Sequence, residues 1–141
     1  MKKIYLIGSL RNSKVAELAN ELRPLGFDVF DDWISVGPKC DDEWQAYEKS
    51  RGRTFAEALA GHHARDVFEF DKRHLDSADI IVLVLPAGKS AHLELGYVAG
   101  LGKTTFILMG GEPERFDIMY LFADKVVMNK KELINELEKQ K

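Results

Sequence analysis

Glu94 is the only carboxylate in "PAGKSAHLELG", residues 86–96, a stretch that follows the apolar run "IIVLVLP" and otherwise offers glycines, a lysine, a serine, a histidine and apolar side chains. With Ser90 as a candidate N-cap, Glu94 sits about one turn into a helix, and two readings of it compete. It can simply complement the helix dipole, worth at most about 1 kcal/mol at an exposed position. Alternatively, helix-start amides hold it ionised and aim it into a pocket, where it can attack an electrophilic sugar carbon and form a covalent glycosyl intermediate. That chemistry requires a second carboxylate. "DKRHLDSAD" offers Asp71, Asp76 and Asp79. Asp79, immediately before the apolar run, reads as a turn or cap. Asp71 lies about two helical turns earlier and reaches the same edge only if the N-terminal half of its helix overhangs the pocket.

Other groups join these through the order of elements. "KIYLIGS" reads as a strand ending in a glycine turn, and Ser13 to Leu25 as an amphipathic helix with Val15, Leu18, Ala19 and Leu22 on its apolar face. "FDVFDDW" reads as a second strand with Asp31, Asp32 and Trp33 at its polar end. "HHARDVFEFDKRHLDSAD" gives a helix with Val67, Phe70 and Leu75 facing inward. "IIVLVLP" belongs at the centre of a parallel sheet. A helix from about Ala91, the strand "TTFILMG", a short helix near Met119, the strand "KVVMN" and a C-terminal helix from Lys130 complete the chain. This alternation predicts an α/β fold: a doubly wound three-layer sandwich around a five-stranded parallel sheet, flavodoxin- or Rossmann-like, in one domain spanning 1–141. The weaker pattern around 34–61 reads as a lid-like insertion.

Ligands of such sheets bind beyond the carboxyl ends of the strands. There the topology gathers Tyr5, Gly8, Ser9 and Arg11, then Asp32 and Trp33, then the 86–94 loop with Gly88 and Ser90. Arg11 and the amides of the Gly8–Asn12 turn can meet an anion, and Gly88, Lys89 and Ser90 offer a second such nest. The turn "GSLRN" carries neither the dinucleotide fingerprint nor the phosphate-loop lysine, so by itself it equally fits a plain strand-to-helix turn. His62 and His63 read as solvated residues at a helix start, and His92 as a partly buried polar group.

Composition narrows the classes. The 141 residues are 45% hydrophobic and 30% charged with a net charge of -3, as in an ordinary globular protein and unlike a basic nucleic-acid binder. The lone Cys40 has no disulfide or metal partner, which fits a reducing, cytoplasmic setting. No signal peptide and no membrane-length apolar segment is read, and no polymeric nucleic-acid or membrane partner is expected.

Together, "IYLIGSLRN", the two aspartates of "DKRHLDSAD", the apolar strand ending in proline and "SAHLELGYVAGLGK" resemble the nucleoside 2-deoxyribosyltransferase superfamily and the related nucleoside 5′-monophosphate N-glycosidases. The resemblance implies cleavage or transfer at the N-glycosidic bond of a nucleoside or nucleotide, with neither cofactor nor metal. It implies Glu94 as the nucleophile on C1′, Asp71 as the acid that protonates the base, and Tyr5 as the hydroxyl that orients the nucleophile. Gly8, Ser9 and Arg11 match the turn that, in the monophosphate-cleaving branch, lies by the phosphate. The resemblance also implies a homodimer or larger homo-oligomer in which a neighbouring subunit completes the site, with Asp117 and Tyr120 of "ERFDIMY" as contributors, although both fit equally well as core and helix-cap residues. The chain departs from the pattern at Gly88, where the transferase branch carries an aspartate and the monophosphate branch a serine; Ser90 is the candidate substitute. Trp33, Trp44 and Tyr47 lie in a region without a close match, where they can stack a base or form a lid or subunit contact. Two rival readings stand beside the enzyme: a non-catalytic nucleotide-binding or sensing module of the same fold, and an inactive oligomeric scaffold whose cleft is filled by its own side chains.

Overall fold

The computed structural model describes residues 1–141. Its centre is β3, Ile80–Val84, five apolar residues that are all buried. A strand buried on both faces needs neighbours on both edges and helices on both sides, and the chain supplies them. β1 (Lys3–Ile7) and β4 (Thr104–Leu108) flank β3, while β2 (Asp28–Phe30) and β5 (Lys125–Val127) form the edges. The order is β2-β1-β3-β4-β5 and every pairing is parallel. The five-stranded doubly wound sandwich expected from the element order is therefore the observed fold, with the topological switch between β1 and β3.

Strand side chains alternate faces, and the alternation divides the core in two. Ile4, Leu6, Ile80, Val82 and Val84 meet Val15, Leu18 and Leu22 of α1 (Lys14–Leu22) and Leu133 and Leu137 of α6 (Lys130–Lys139) on one face. On the other, Tyr5, Ile7, Ile81 and Leu83 meet Leu75 of α4 (His62–Ser77) and Ala91, Leu95 and Val98 of α5 (Lys89–Gly100). Tyr5 thus looks toward the two helices that carry Asp71 and Glu94.

Several boundaries differ from the sequence reading for local reasons. The first helix becomes a 3-10 turn over Arg23–Leu25, because Pro24 has no N–H to continue the α-helical ladder, and it ends at Gly26 with φ 91°. The second strand stops at Phe30. Asp31 is buried and bound by Arg23 at 2.6 Å, and Asp32–Val36 turns into a 3-10 segment. The segment around 34–61 is largely helical, with α2 over Cys40–Ser50 and α3 over Phe55–Leu59. Thr54 caps α3 in a reciprocal capping box with Glu57, and Arg53 pairs with the buried Glu48 at 3.1 Å. The expected short helix near Met119 is a 3-10 turn over Ile118–Phe122. No helix is long and apolar enough to cross a membrane.

Candidate active site

Beyond the carboxyl ends of β1, β2 and β3 lies a cavity of about 770 Å³. Gly8, Ser9 and Arg11 bound it from the turn between β1 and α1, Trp33 and Asp32 from the turn after β2, and Gly88, Ser90 and Glu94 from the start of α5. The N-terminal half of α4 does overhang it. Asp66, Val67, Phe70 and Asp71 are spaced i, i+1, i+4 and i+5, so they form one face of that helix, and all four line the cavity.

Of the three carboxylates offered as partners for Glu94, only Asp71 reaches the cavity. Asp79 accepts the backbone N–H of Lys3 at 2.8 Å and tethers the start of β1, the structural role read for it. Asp76 lies on the outer side of α4, exposed, with Lys72 at 2.9 Å and the hydroxyl of Tyr97 as partners. Glu94 and Asp71 interact electrostatically. Burial, then the charge of Asp71, pushes the Glu94 carboxyl up to about 8, and burial raises Asp71 as well. Tyr5 is 1% exposed beneath them, and its phenol is driven far above its ordinary value by burial, then by Glu94 and Asp71. Asp71 and Glu94 thus share the cavity lining, from α4 and α5, while Tyr5 is buried in the core on the same side of the sheet and makes no hydrogen bond to either.

The expectation that helix-start amides hold Glu94 ionised is corrected by this geometry. α5 begins at Lys89 with Gly88, not Ser90, as its N-cap, and Glu94 is the sixth helical residue. It lies beyond the first-turn amides, so desolvation outweighs the dipole and favours its neutral form. Ser90 lines the cavity in the first turn, and no side chain caps the helix.

Val67 and Phe70 are a second correction. Expected in the core, they are 41% and 40% exposed, because this half of α4 extends past the sheet edge and its apolar stripe faces the cavity. Only Leu75, nearer the sheet, is buried as expected. Phe70 still rests on Phe30 and His74, with ring centroids 6.3 and 4.7 Å away. It therefore presents a supported aromatic surface to the cavity.

The remaining expected residues divide between the cavity and its surroundings. β2 stops one residue short of Leu6, leaving that β1 carbonyl unpaired by the strand, and the Trp33 indole N–H donates to it at 2.7 Å. Trp33 can therefore offer a ligand its ring face but not its donor. Arg11 lies at the cavity wall with its guanidinium bound to Asp42 of α2 at 2.9 Å, both side chains well exposed. Tyr120 and Asp117 lie outside this cavity, in a second hollow of about 680 Å³ by β4 and β5. Asp117 accepts the Met119 N–H at 2.9 Å and caps the 3-10 turn.

Two positions bear on the site more than the sequence suggested. The Asn12 side-chain amide donates to the carbonyls of Val84 at 3.4 Å and Pro86 at 3.3 Å, clamping the β1 turn to the β3 loop. An asparagine at that place in "GSLRN" is the signal, since such residues bridge loop carbonyls. His92 links the Gly88 carbonyl, 2.7 Å from Nδ1, to the Tyr120 hydroxyl, 3.0 Å from Nε2. Nothing in its sequence spacing announced that bridge.

Comparison with known proteins reaches the fold through structure. No family model matches the sequence, and no curated protein matches it. Among solved structures, a conserved protein from Enterococcus faecalis V583 superposes with TM-score 0.68 at 14% identity, over 100% of this chain and 99% of its own. A 2-deoxyribosyltransferase from Bacillus psychrosaccharolyticus gives 0.62 at 20% identity, over 94% and 90%. The CMP N-glycosidase BcmB of Clostridium botulinum gives 0.54 at 13% identity, over 97% and 99%. The fold is therefore that of the proteins which the sequence motifs resemble, across nearly the whole length of each.

Proposed function

We propose that the protein cleaves or transfers at the N-glycosidic bond of a nucleoside or nucleoside 5′-monophosphate. The observation that carries this reading is the convergence of Glu94 and Asp71, from two helices, on one cavity beside the buried Tyr5. The similar folds of a deoxyribosyltransferase and an N-glycosidase support it.

On this reading a carboxylate oxygen of Glu94 attacks C1′, the C1′–N bond breaks, and its electron pair leaves on the base nitrogen, which takes the proton of the Asp71 carboxyl. A glycosyl ester of Glu94 and the free base result. Water or a second base then attacks C1′, gives its proton to Asp71 and releases Glu94. Two coupled carboxyls whose affinities for protons are both raised suit this sequence, because together they retain a proton near neutral pH. In the free site burial puts it on Glu94; positive charge developing at C1′ during attack favours its transfer to Asp71. Tyr5, which makes no hydrogen bond to Glu94 in the free protein, is buried on the sheet face toward α4 and α5. The start of α2, with Cys40, Asp41 and Asp42 in the lining, acts as a lid over the cavity. Gly8, Ser9, Ser90 and the α5 amides hold the sugar or a phosphate, the latter once Arg11 exchanges Asp42 for it.

A non-catalytic binding module of the same fold is the second reading, since the same cavity with its aromatic wall can hold a nucleotide without turning it over. A self-filled scaffold finds no support in a cavity of this size. The deciding experiment incubates wild type and Glu94→Gln with a panel of nucleosides and their 5′-monophosphates, with and without an acceptor base, and separates the products by liquid chromatography. Free base from wild type alone supports the enzyme, and a new nucleoside with acceptor makes it a transferase. Binding without turnover supports the module.

A further inference from the structure

The cavity wall formed by α4 and the turn after β2 carries an unusual set of polar groups. Phe70 and Val67 give it an apolar surface on which a flat ring can lie, and Trp33 lines the same cavity. At the edges of that surface are Asp66, Asp71 and Asp32. The whole lining contains no asparagine, glutamine, histidine or threonine. The indole N–H of Trp33 is taken by the Leu6 carbonyl, and the guanidinium of Arg11 is bound to Asp42. Ionised carboxylates only accept hydrogen bonds. The lining's other donors, Ser9, Ser35, Lys89 and Ser90, come from the turns after β1 and β2 and from the start of α5, whereas the only polar side chains on the α4 wall beside Phe70 are Asp66 and Asp71.

We propose that the cavity takes nucleosides whose base carries an exocyclic amine and discriminates against their keto counterparts, with Asp66 as the residue that receives the amine. This rests on the reading of the cavity as a nucleoside site. An amine on a base stacked against Phe70 donates to the carboxylate at the ring's edge. A carbonyl in the same place sets two acceptors against each other and forfeits the charge-assisted hydrogen bond that the amine makes. Asp71, the more buried of the α4 pair, is left for the proton transfer at the ring nitrogen. Asp66, exposed and five residues earlier on the same face, is left for the amine.

Pairs that differ only in this group test the proposal: cytidine with uridine and adenosine with inosine, each in ribo, 2′-deoxy and 5′-monophosphate form. Binding to Glu94→Gln is followed by tryptophan fluorescence, since Trp33 lines the cavity, and by calorimetry. The amine member is expected to bind at least 10-fold more tightly in each pair that binds, and Asp66→Asn, whose amide can donate to a carbonyl, is expected to bring the ratio toward one. Equal binding of both members overturns the preference while the nucleoside reading stands. A ratio unchanged in Asp66→Asn overturns the role of Asp66. No binding by any of these ligands overturns the nucleoside reading itself, and the proposal with it.

Discussion

Glu94 sets the pH behaviour of this protein. The folded state keeps its proton up to about pH 8, whereas a free glutamate releases it near 4.5. A carboxyl whose affinity for protons rises on folding contributes stability that is full below about pH 4.5 and is lost as the pH climbs through 8. The slope across that window is at most about 1.4 kcal/mol per pH unit. Glutamine in the same place has no proton to lose. Urea unfolding at pH 5 and pH 8 should therefore show Glu94→Gln gaining on wild type by roughly 2 kcal/mol or more between the two values. A constant difference would show that Glu94 titrates normally. On the catalytic reading the same substitution abolishes turnover, so stability and activity move in opposite directions.

At the scale of elements, the cavity depends on how closely β1, α1 and β3 approach one another. A Cβ on Gly8 would lie 2.9 Å from Val15 Cγ2 and 3.2 Å from the Val84 carbonyl oxygen, so the turn admits only glycine without a shift of backbone. Gly8→Ala should cost about 1–3 kcal/mol through overpacking and lower the Tm by several degrees. Gly96, within α5, has no atom within 4 Å of a built Cβ. Gly96→Ala should have the opposite sign and stabilise the protein by roughly 0.5–1 kcal/mol, because it removes unfolded-state freedom without a clash. Thermal melts of the two variants check both, and a neutral Gly8→Ala would mean that the turn is looser than its contacts indicate. The helices' apolar patterns were legible in the sequence, but their facing was not. Val67 and Phe70 match a core stripe as well as Leu75 does, and only the projection of α4 past the sheet turns them toward the cavity.

Across the whole molecule, one short segment concentrates several exposed apolar side chains. Phe116, Ile118, Leu121 and Phe122 are each more than 70% exposed around the 3-10 turn after β4. Clustered exposure of this kind marks interaction surfaces. The homo-oligomer that the sequence resemblance implies would cover it with a second copy of the chain, and the His92 bridge from Tyr120 to Gly88 joins the neighbouring Tyr120 to the loop at the cavity. Sedimentation velocity should then show a dimer or larger species that Leu121→Asp with Phe122→Asp converts to monomer. A monomeric wild type at tens of micromolar would remove the oligomer from the reading.

The sequence by itself determined the sandwich, because strand alternation, helix periodicity and glycine turns are local patterns with only a few compatible topologies. It also singled out Glu94 as a carboxylate in an apolar setting, and Asp71 as its candidate partner. The tertiary structure then put Asp71, and neither Asp76 nor Asp79, in the cavity lining, since which face of α4 overhangs the sheet edge depends on how that helix docks. It alone put Glu94 beyond the stabilising reach of the helix start, committed Arg11 to Asp42 and Trp33 to Leu6, and separated Tyr120 from the cavity. These are matters of desolvation and hydrogen-bond partnership between residues far apart in the chain. Neither quantity exists until the chain has folded.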